Sequence, residues 1–173
     1  MKARHILYIQ FANPGAYPPV CHSSHILANH GWKVHHFGLN LAHTHGLNLP
    51  SHTNITCRLF DMPKSKFGRI AIYQQFFVES LAYCLKAKPS IIYASDPQVT
   101  PVAVALAKAT GLPIVYHEHD LPGDNPRFVR KFSREVLAQD ANLRIFPNNQ
   151  RAEIFKKQTN STKRHHRVFN CPA

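Results

Sequence analysis

Ser90-Ile91-Ile92-Tyr93-Ala94, then Thr100-Pro101 opening the run Val102 to Thr110, then Gly111-Leu112-Pro113 and Ile114-Val115-Tyr116-His117-Glu118, decide the fold of this chain. The first run is short, apolar and rich in β-branched and aromatic residues, the signature of a buried strand. Thr100 is placed to cap a helix and Pro101 fits its first turn, while Gly111 closes it and Pro113 blocks its continuation. The last run is a second strand. A strand, a helix and a strand in this order make the two strands parallel, joined by a right-handed crossover.

The same alternation extends outward on both sides. Arg4 to Gln10 reads as a strand stopped by Asn13-Pro14-Gly15. Pro19 to His30 places Val20, Ser24, Leu27 and Ala28 at helical spacing before Gly31, and Val34 to Leu39 is the next strand. Beyond the central unit the sequence predicts a helix near Arg127 to Gln139, a strand at Leu143 to Phe146, a helix near Gln150 to Lys157 and a strand at Arg167 to Phe169. Continuously apolar strands, each followed by a helix, imply an α/β, Rossmann-like, doubly wound domain over residues 1–173, with a mostly parallel sheet and helices on both faces. Ala42 to Thr53 and Lys163 to Arg167 are its loosest stretches. Ligands of such sheets sit beyond the carboxyl ends of the strands. That rim is formed here by Asn13 to Pro19, Ser95 to Thr100, His117 to Asp124 and Pro147 to Arg151.

Composition narrows the function. The 173 residues hold 21 Lys plus Arg against 9 Asp plus Glu, a formal net charge of +12, with 44% hydrophobic and 17% charged residues, which excludes a disordered or low-complexity chain. No run reaches the length of a bilayer span, and Ile6 to Ile9 is too short for a signal-peptide core. The expectation is a cytoplasmic protein, peripheral to the inner membrane face at most, so the sequons at Asn54 and Asn160 are set aside. Cys21, Cys57, Cys84 and Cys171 form no C-x-x-C pair, as reduced thiols do not require.

The first loop lacks both G-x-G-x-x-G and G-x-x-x-x-G-K-[ST], which disfavours a dehydrogenase or an NTPase, and no cofactor is expected. His117-Glu118-His119-Asp120 is the densest titratable cluster, and alternation places His117 and His119 on one face. The pair suits a metal hydrolase, a functional imidazole or a hydrogen-bonded core histidine. The remaining histidines, His35 and His36 among them, read as surface or strand residues. Arg127, Arg130, Lys131 and Arg134 recur at i, i+3, i+4 and i+7, with Phe128, Val129, Phe132 and Val136 opposite them. This is either a solvated basic face over a packed apolar stripe or a surface for anionic lipid headgroups. Lys64, Lys66 and Arg69 around Phe67 make a second basic patch. Nucleic acid is not expected, because no helix-turn-helix, RRM or finger pattern accompanies the charge.

Taken in order, several segments resemble the N-terminal domain of GT-B glycosyltransferases of the retaining family 4 group. They are Ile6 to Ile9 with Pro14 to Pro19, Leu27 to Phe37, Lys88 to Pro97, Gly111 to Asp120, Phe146 to Arg151, and Val168 to Pro172. The resemblance implies the acceptor-binding half of a two-domain transferase that moves a sugar from a nucleotide-sugar to a carbohydrate or lipid-linked acceptor. It makes His119 the catalytic candidate, and with the rim loops it nominates Gly15, Ala16, Tyr17, Ser95, Asp96, His117, Asp120 and Arg151 as substrate-binding. Arg127, Arg130, Lys131 and Arg134 are the membrane or anion-binding candidates. Two departures stand out: Pro18-Pro19 replaces the Gly-Gly pair of many relatives, and Asn170 to Ala173 falls where the family crosses into its donor-binding domain, whose Glu-x7-Glu signature is absent. This chain alone is therefore expected to be inactive and to meet a nucleotide-sugar only with a second domain or subunit. A non-catalytic subunit recruiting acceptor and membrane is the alternative within the same resemblance.

Overall fold

A computed structural model describes residues 4–119 and 128–168. Seven strands form one sheet: β1 (His5–Ile9), β2 (Lys33–Asn40), β3 (Ile55–Asp61), β4 (Ile91–Ala94), β5 (Ile114–His117), β6 (Leu143–Phe146) and β7 (His166–Arg167). Their spatial order is β3-β2-β1-β4-β5-β6-β7, and every neighbouring pair is parallel. Five helices connect them: α1 (Pro18–Asn29), α2 (Lys66–Ala87), α3 (Thr100–Thr110), α4 (Phe128–Asp140) and α5 (Asn149–Thr159). The expected Rossmann-like α/β architecture is the one observed.

The order reverses between β1 and β4, since the chain first winds outward through β2 and β3 and then returns to β4. With right-handed crossovers this puts α1 on one face and the later helices on the other. The two cores agree. Leu7, Ile9, Ile92 and Tyr116 pack with α2 through α5 on the back face, whereas Ile6, Tyr8, Tyr93, Val115 and Ile145 pack with Val20 and Ala28 of α1 on the front.

Residues 90 to 118 fold as their sequence dictates, with one difference at the start of α3. Asp96 Oδ1 accepts the Val99 N–H at 2.7 Å, while the Thr100 hydroxyl instead meets the Pro97 carbonyl and the Ser133 hydroxyl. Gly111 ends the helix at φ 69°, in the left-handed region open to a residue without Cβ. Strand β3 and the 22-residue α2 are additions that sequence reasoning did not anticipate.

Helix α4 corrects the sequence reading outright. Its buried side is Ser133, Arg134, Leu137 and Ala138, while Phe128, Val129 and Phe132 are exposed at 80%, 61% and 53%. The helix is rotated so that one cation of the expected basic face enters the protein and the aromatic stripe leaves it. Glu118 is the reason: its carboxylate takes the Arg134 guanidinium through two bonds of 2.7 Å, both groups nearly buried. Arg134 also donates to Gln158 and lies over the Phe155 ring at 4.7 Å, tying α4 and α5 to the end of β5. Burial works against its charge, but the hydrogen bonds and charge of Glu118 prevail and hold the guanidinium above its ordinary pKa. Arg134 is thus an internal strut rather than a surface contact.

Candidate functional site

The front face carries a row of rings toward the carboxyl end of the sheet. Register sets Tyr8 beside His36 on one side and Tyr93 on the other, and both pairs stack, with centroids 4.7 and 4.4 Å apart. His36, expected to be an ordinary strand residue, is fully buried and shares a 2.9 Å hydrogen bond with the Ser24 hydroxyl of α1. Burial, followed by the charge of His35, pushes its pKa down to about 3.

Two residues further along, on the same face, stand Gln10, Ser95 and His117. Alternation puts Gln10 on the side of Ile6 and Tyr8, and backbone bonds from Gln10 to Phe37 and from Ser95 to Ile9 carry the ladder past β1. His117 Nδ1 is 2.5 Å from the Tyr93 hydroxyl. The His119 ring lies over that of His117 with centroids 3.6 Å apart, its Nε2 is 3.0 Å from the Ser95 hydroxyl, and the Tyr17 ring is 5.9 Å away. The loops after β1, β4 and β5 therefore converge, bringing Tyr17, Ser95, His117 and His119 into one cluster.

Burial fixes the protonation of this cluster. It drives the His117 pKa down to about 2, with the charge of His119 adding to the effect, and raises the Tyr93 phenol well above its usual range. His117 is neutral and Tyr93 keeps its proton. The other ring nitrogen of His117, Nε2, is buried and has no hydrogen-bond partner among the described residues. Gln10 is 2% exposed, and both its amide nitrogen and its amide oxygen lack partners among the described residues. Most buried polar atoms are paired, so orphan groups on the ends of β1 and β5, with Ser95 of the intervening strand end between them, call for a ligand or water. The orphan set holds donors and an acceptor but no formal charge, which matches hydroxyl groups better than an anion.

The other nominated residues have defined places. Asp96 holds the rim together: its Oδ2 accepts the Phe11 N–H and its Oδ1 the Val99 N–H, both at 2.7 Å, joining the ends of β1 and β4. Its φ of 156° is unusual for a residue with a side chain, and these two bonds hold it there. Gly15 and Ala16 form a short 3-10 turn capped by Asn13, whose side chain also donates to the Thr44 and Leu47 carbonyls. A Cβ on Gly15 would lie 2.9 Å from the Asn48 backbone, so the turn and the 41–54 loop meet too closely for a side chain. Behind that contact, a cavity of about 240 Å³ lies between Asn13, the 47–52 loop and Ile55, Cys57 and Leu59 of β3. Arg151 belongs to another part of the rim, after β6, where its N–H bonds to the Asn148 cap of α5. Arg130 is partly exposed and Lys131 exposed on α4. Asp120 and Arg127 lie outside the described residues.

Among the described residues no three His, Cys, Asp or Glu side chains gather as metal ligands, so the hydrolase reading of His117 and His119 finds no support. The ring nitrogens serve Tyr93 and Ser95 instead. Sequence reasoning missed Gln10, Tyr93 and the Glu118–Arg134 pair. Only Gln10 left a signal: it is the polar residue that ends the alternating face of Ile6 and Tyr8.

No family model and no curated protein matches the chain. Solved structures do. Sucrose-phosphate synthase from Thermosynechococcus elongatus aligns with 96% of this chain and 48% of its own, at 14% identity and a TM-score of 0.68. Anabaena HepE, solved with UDP and glucose, aligns with 96% and 44%, at 15% identity and 0.66. UDP-GlcNAc 2-epimerase from Methanocaldococcus jannaschii aligns with 95% and 45%, at 12% identity and 0.62. The chain spans about half the length of these proteins, and at such identities what it shares with them is the fold.

Proposed function

We propose that this chain is the acceptor-side domain of a GT-B, family 4-like glycosyltransferase, working on a carbohydrate or lipid-linked acceptor while a second domain or subunit holds the nucleotide-sugar. The observation that carries the reading is the uncharged row Gln10, Ser95 and His117, with His119 and Tyr17 above it, at the reversal point of the sheet. Hydroxyls of a sugar, which both donate and accept, satisfy the Gln10 amide and the His117 Nε2, and Tyr17 offers its ring for the apolar face of the sugar. His119, fixed by Ser95 and in tilted ring contact with His117, sits at the outer end of the row, where a hydrogen bond from it would orient the reacting groups. Catalysis in such a site comes from positioning and preorganised dipoles. Likeness in fold to a sucrose-phosphate synthase and to HepE, solved with UDP and glucose, supports the reaction class; the UDP-GlcNAc 2-epimerase shares the fold under another reaction's name.

The test is a titration followed by backbone and imidazole NMR, using simple methyl glycosides and, separately, UDP-glucose and UDP-GlcNAc. Millimolar glycoside should shift Gln10, Ser95, His117 and His119 together, and Gln10→Ala should weaken binding about five- to tenfold, as expected for one or two lost hydrogen bonds. Micromolar binding of a UDP-sugar to the chain alone, undisturbed by Gln10→Ala, would overturn the assignment. A second reading, a non-catalytic subunit that recruits a lipid-linked acceptor to a membrane, is favoured by the exposed aromatic side of α4; unaltered acceptor binding in His119→Ala together with unaltered activity of the assembled enzyme would select it.

A further inference from the structure

The helical layer on the back of the sheet ends in two apolar projections. One is Phe67 and Ile70 in the first turn of α2, exposed at 85% and 52%. The other is Phe128, Val129 and Phe132 on α4, with the two phenylalanine rings stacked 6.4 Å apart. Both lie at the same level. Tyr73 of α2 donates its hydroxyl to the Gln98 carbonyl just before α3, and Ser133 of α4 meets Thr100 at the start of α3, so the second turns of α2 and α4 flank the same point. With neighbouring helix axes 8–10 Å apart, the projections are roughly 20 Å from each other. Each is bordered by cations: Lys64 and Arg69 beside the first, Arg130 and Lys131 beside the second.

We infer that this end of the molecule docks on the surface of a bilayer containing anionic phospholipid, inserting the Phe67 and the Phe128–Phe132 projections between headgroups while the four cations hold phosphates. Two features select a bilayer. Rings exposed this far are normally buried against something, and two projections at the same end of the helical layer, one on each side of α3, fit a plane that is nonpolar beneath and negatively charged above. The net charge of +12 draws the whole domain toward such a plane. No helix among the described residues is long and apolar enough to cross a membrane. It departs from the expected basic face in a specific way: the aromatic side of α4 leads, and Arg134 takes no part.

Flotation of the full chain with phosphatidylcholine vesicles, with and without 30% phosphatidylglycerol, tests this without any sugar ligand and so separates it from the acceptor assignment. Binding is expected only to the anionic vesicles and weakens as salt rises. Phe128→Ser with Phe132→Ser should lower the partition constant by at least about tenfold and Phe67→Ser by several-fold, from the loss of inserted apolar surface. Lys131→Glu should cost about fivefold or more. Ile26→Ser, an equally exposed apolar residue on α1 across the sheet, should change nothing. Circular dichroism confirms that each variant is folded. Absence of binding, equal binding to neutral vesicles, or binding indifferent to the phenylalanine substitutions would overturn the inference. So would a concentration-dependent dimer in sedimentation that Phe128→Ser abolishes, because the rings would then belong to an interface between copies.

Discussion

Replacing Arg134 by Met and, separately, Phe132 by Ser measures which side of α4 faces the protein. Arg134 and Glu118 are 6% and 3% exposed and joined by two 2.7 Å hydrogen bonds, and Glu118 also accepts the Tyr116 hydroxyl. Removing the guanidinium leaves a buried carboxylate uncompensated, a loss of about 3–5 kcal/mol. For a domain of this size that lowers Tm by about 6–20 °C at roughly 2–4 °C per kcal/mol. Phe132, more than half exposed, should cost less than about 1 kcal/mol when replaced. Adding Glu118→Gln to Arg134→Met should restore part of the loss, since no net charge then remains buried. Urea denaturation followed by Trp32 fluorescence and far-ultraviolet circular dichroism gives all four values. The opposite ranking, Phe132→Ser costing 3 kcal/mol or more and Arg134→Met nearly nothing, would refute the observed rotation of α4 and restore a packed aromatic stripe under a solvated basic face.

Acid should destabilise this fold earlier than carboxylate titration alone would. His36 and His117 have pKa values lowered to about 3 and about 2 and His35 to about 4, all by burial first, so each stays neutral in the folded chain while the unfolded chain takes up protons below about pH 6.5. Because the unfolded state binds more protons, stability is full well above pH 6.5 and falls as pH drops, by about 1.4 kcal/mol per pH unit per histidine, which for the three together is about 4 kcal/mol per pH unit near pH 5; urea midpoints at pH 7, 6 and 5 check this, and His36→Asn should flatten the slope by about one third. Asp96→Ala strands two buried N–H groups and should cost about 2–5 kcal/mol, whereas Asp96→Asn, which keeps an acceptor, should cost visibly less; a similar loss in both would mean that Asp96 does not hold the rim by hydrogen bonding. Gly15→Ala forces a methyl against the Asn48 backbone, so it should cost about 1–3 kcal/mol and speed proteolytic cleavage within residues 41–54, and unchanged cleavage would place that loop elsewhere.

Much of the candidate site was legible because its residues follow strand ends, and a parallel sheet delivers every strand end to one rim. Ser95, His117 and His119 could be nominated on that basis. Their mutual contacts could not, since the sequence separation of Ser95 and His119 is bridged only by the pairing of β4 with β5. Helix α2 escaped notice for a related reason: its buried stripe of Ile72, Phe76, Ser80 and Cys84 is regular, but Phe67, Ile70, Val78 and Leu85 are apolar too and exposed, which blurs the pattern. Strand β3 lies at the sheet edge with Thr56, Cys57 and Arg58 exposed in succession, so no alternation marks it, and Cys57 and Arg58 do not read as strand interior.

The sequence by itself determined the alternation of strands and helices from 4 to 39 and from 90 to 168, the parallel sense of the sheet and the rim that its strand ends share, because chain length, turn residues and local periodicity act within a few residues. Tertiary structure alone decided which side of α4 turns inward and which buried groups stay unpaired. Periodicity says which side chains share a face, not which face is buried. For α4 that choice was made by a carboxylate sixteen residues away on the next layer, whose need for a counter-ion outweighed the burial of two phenylalanines.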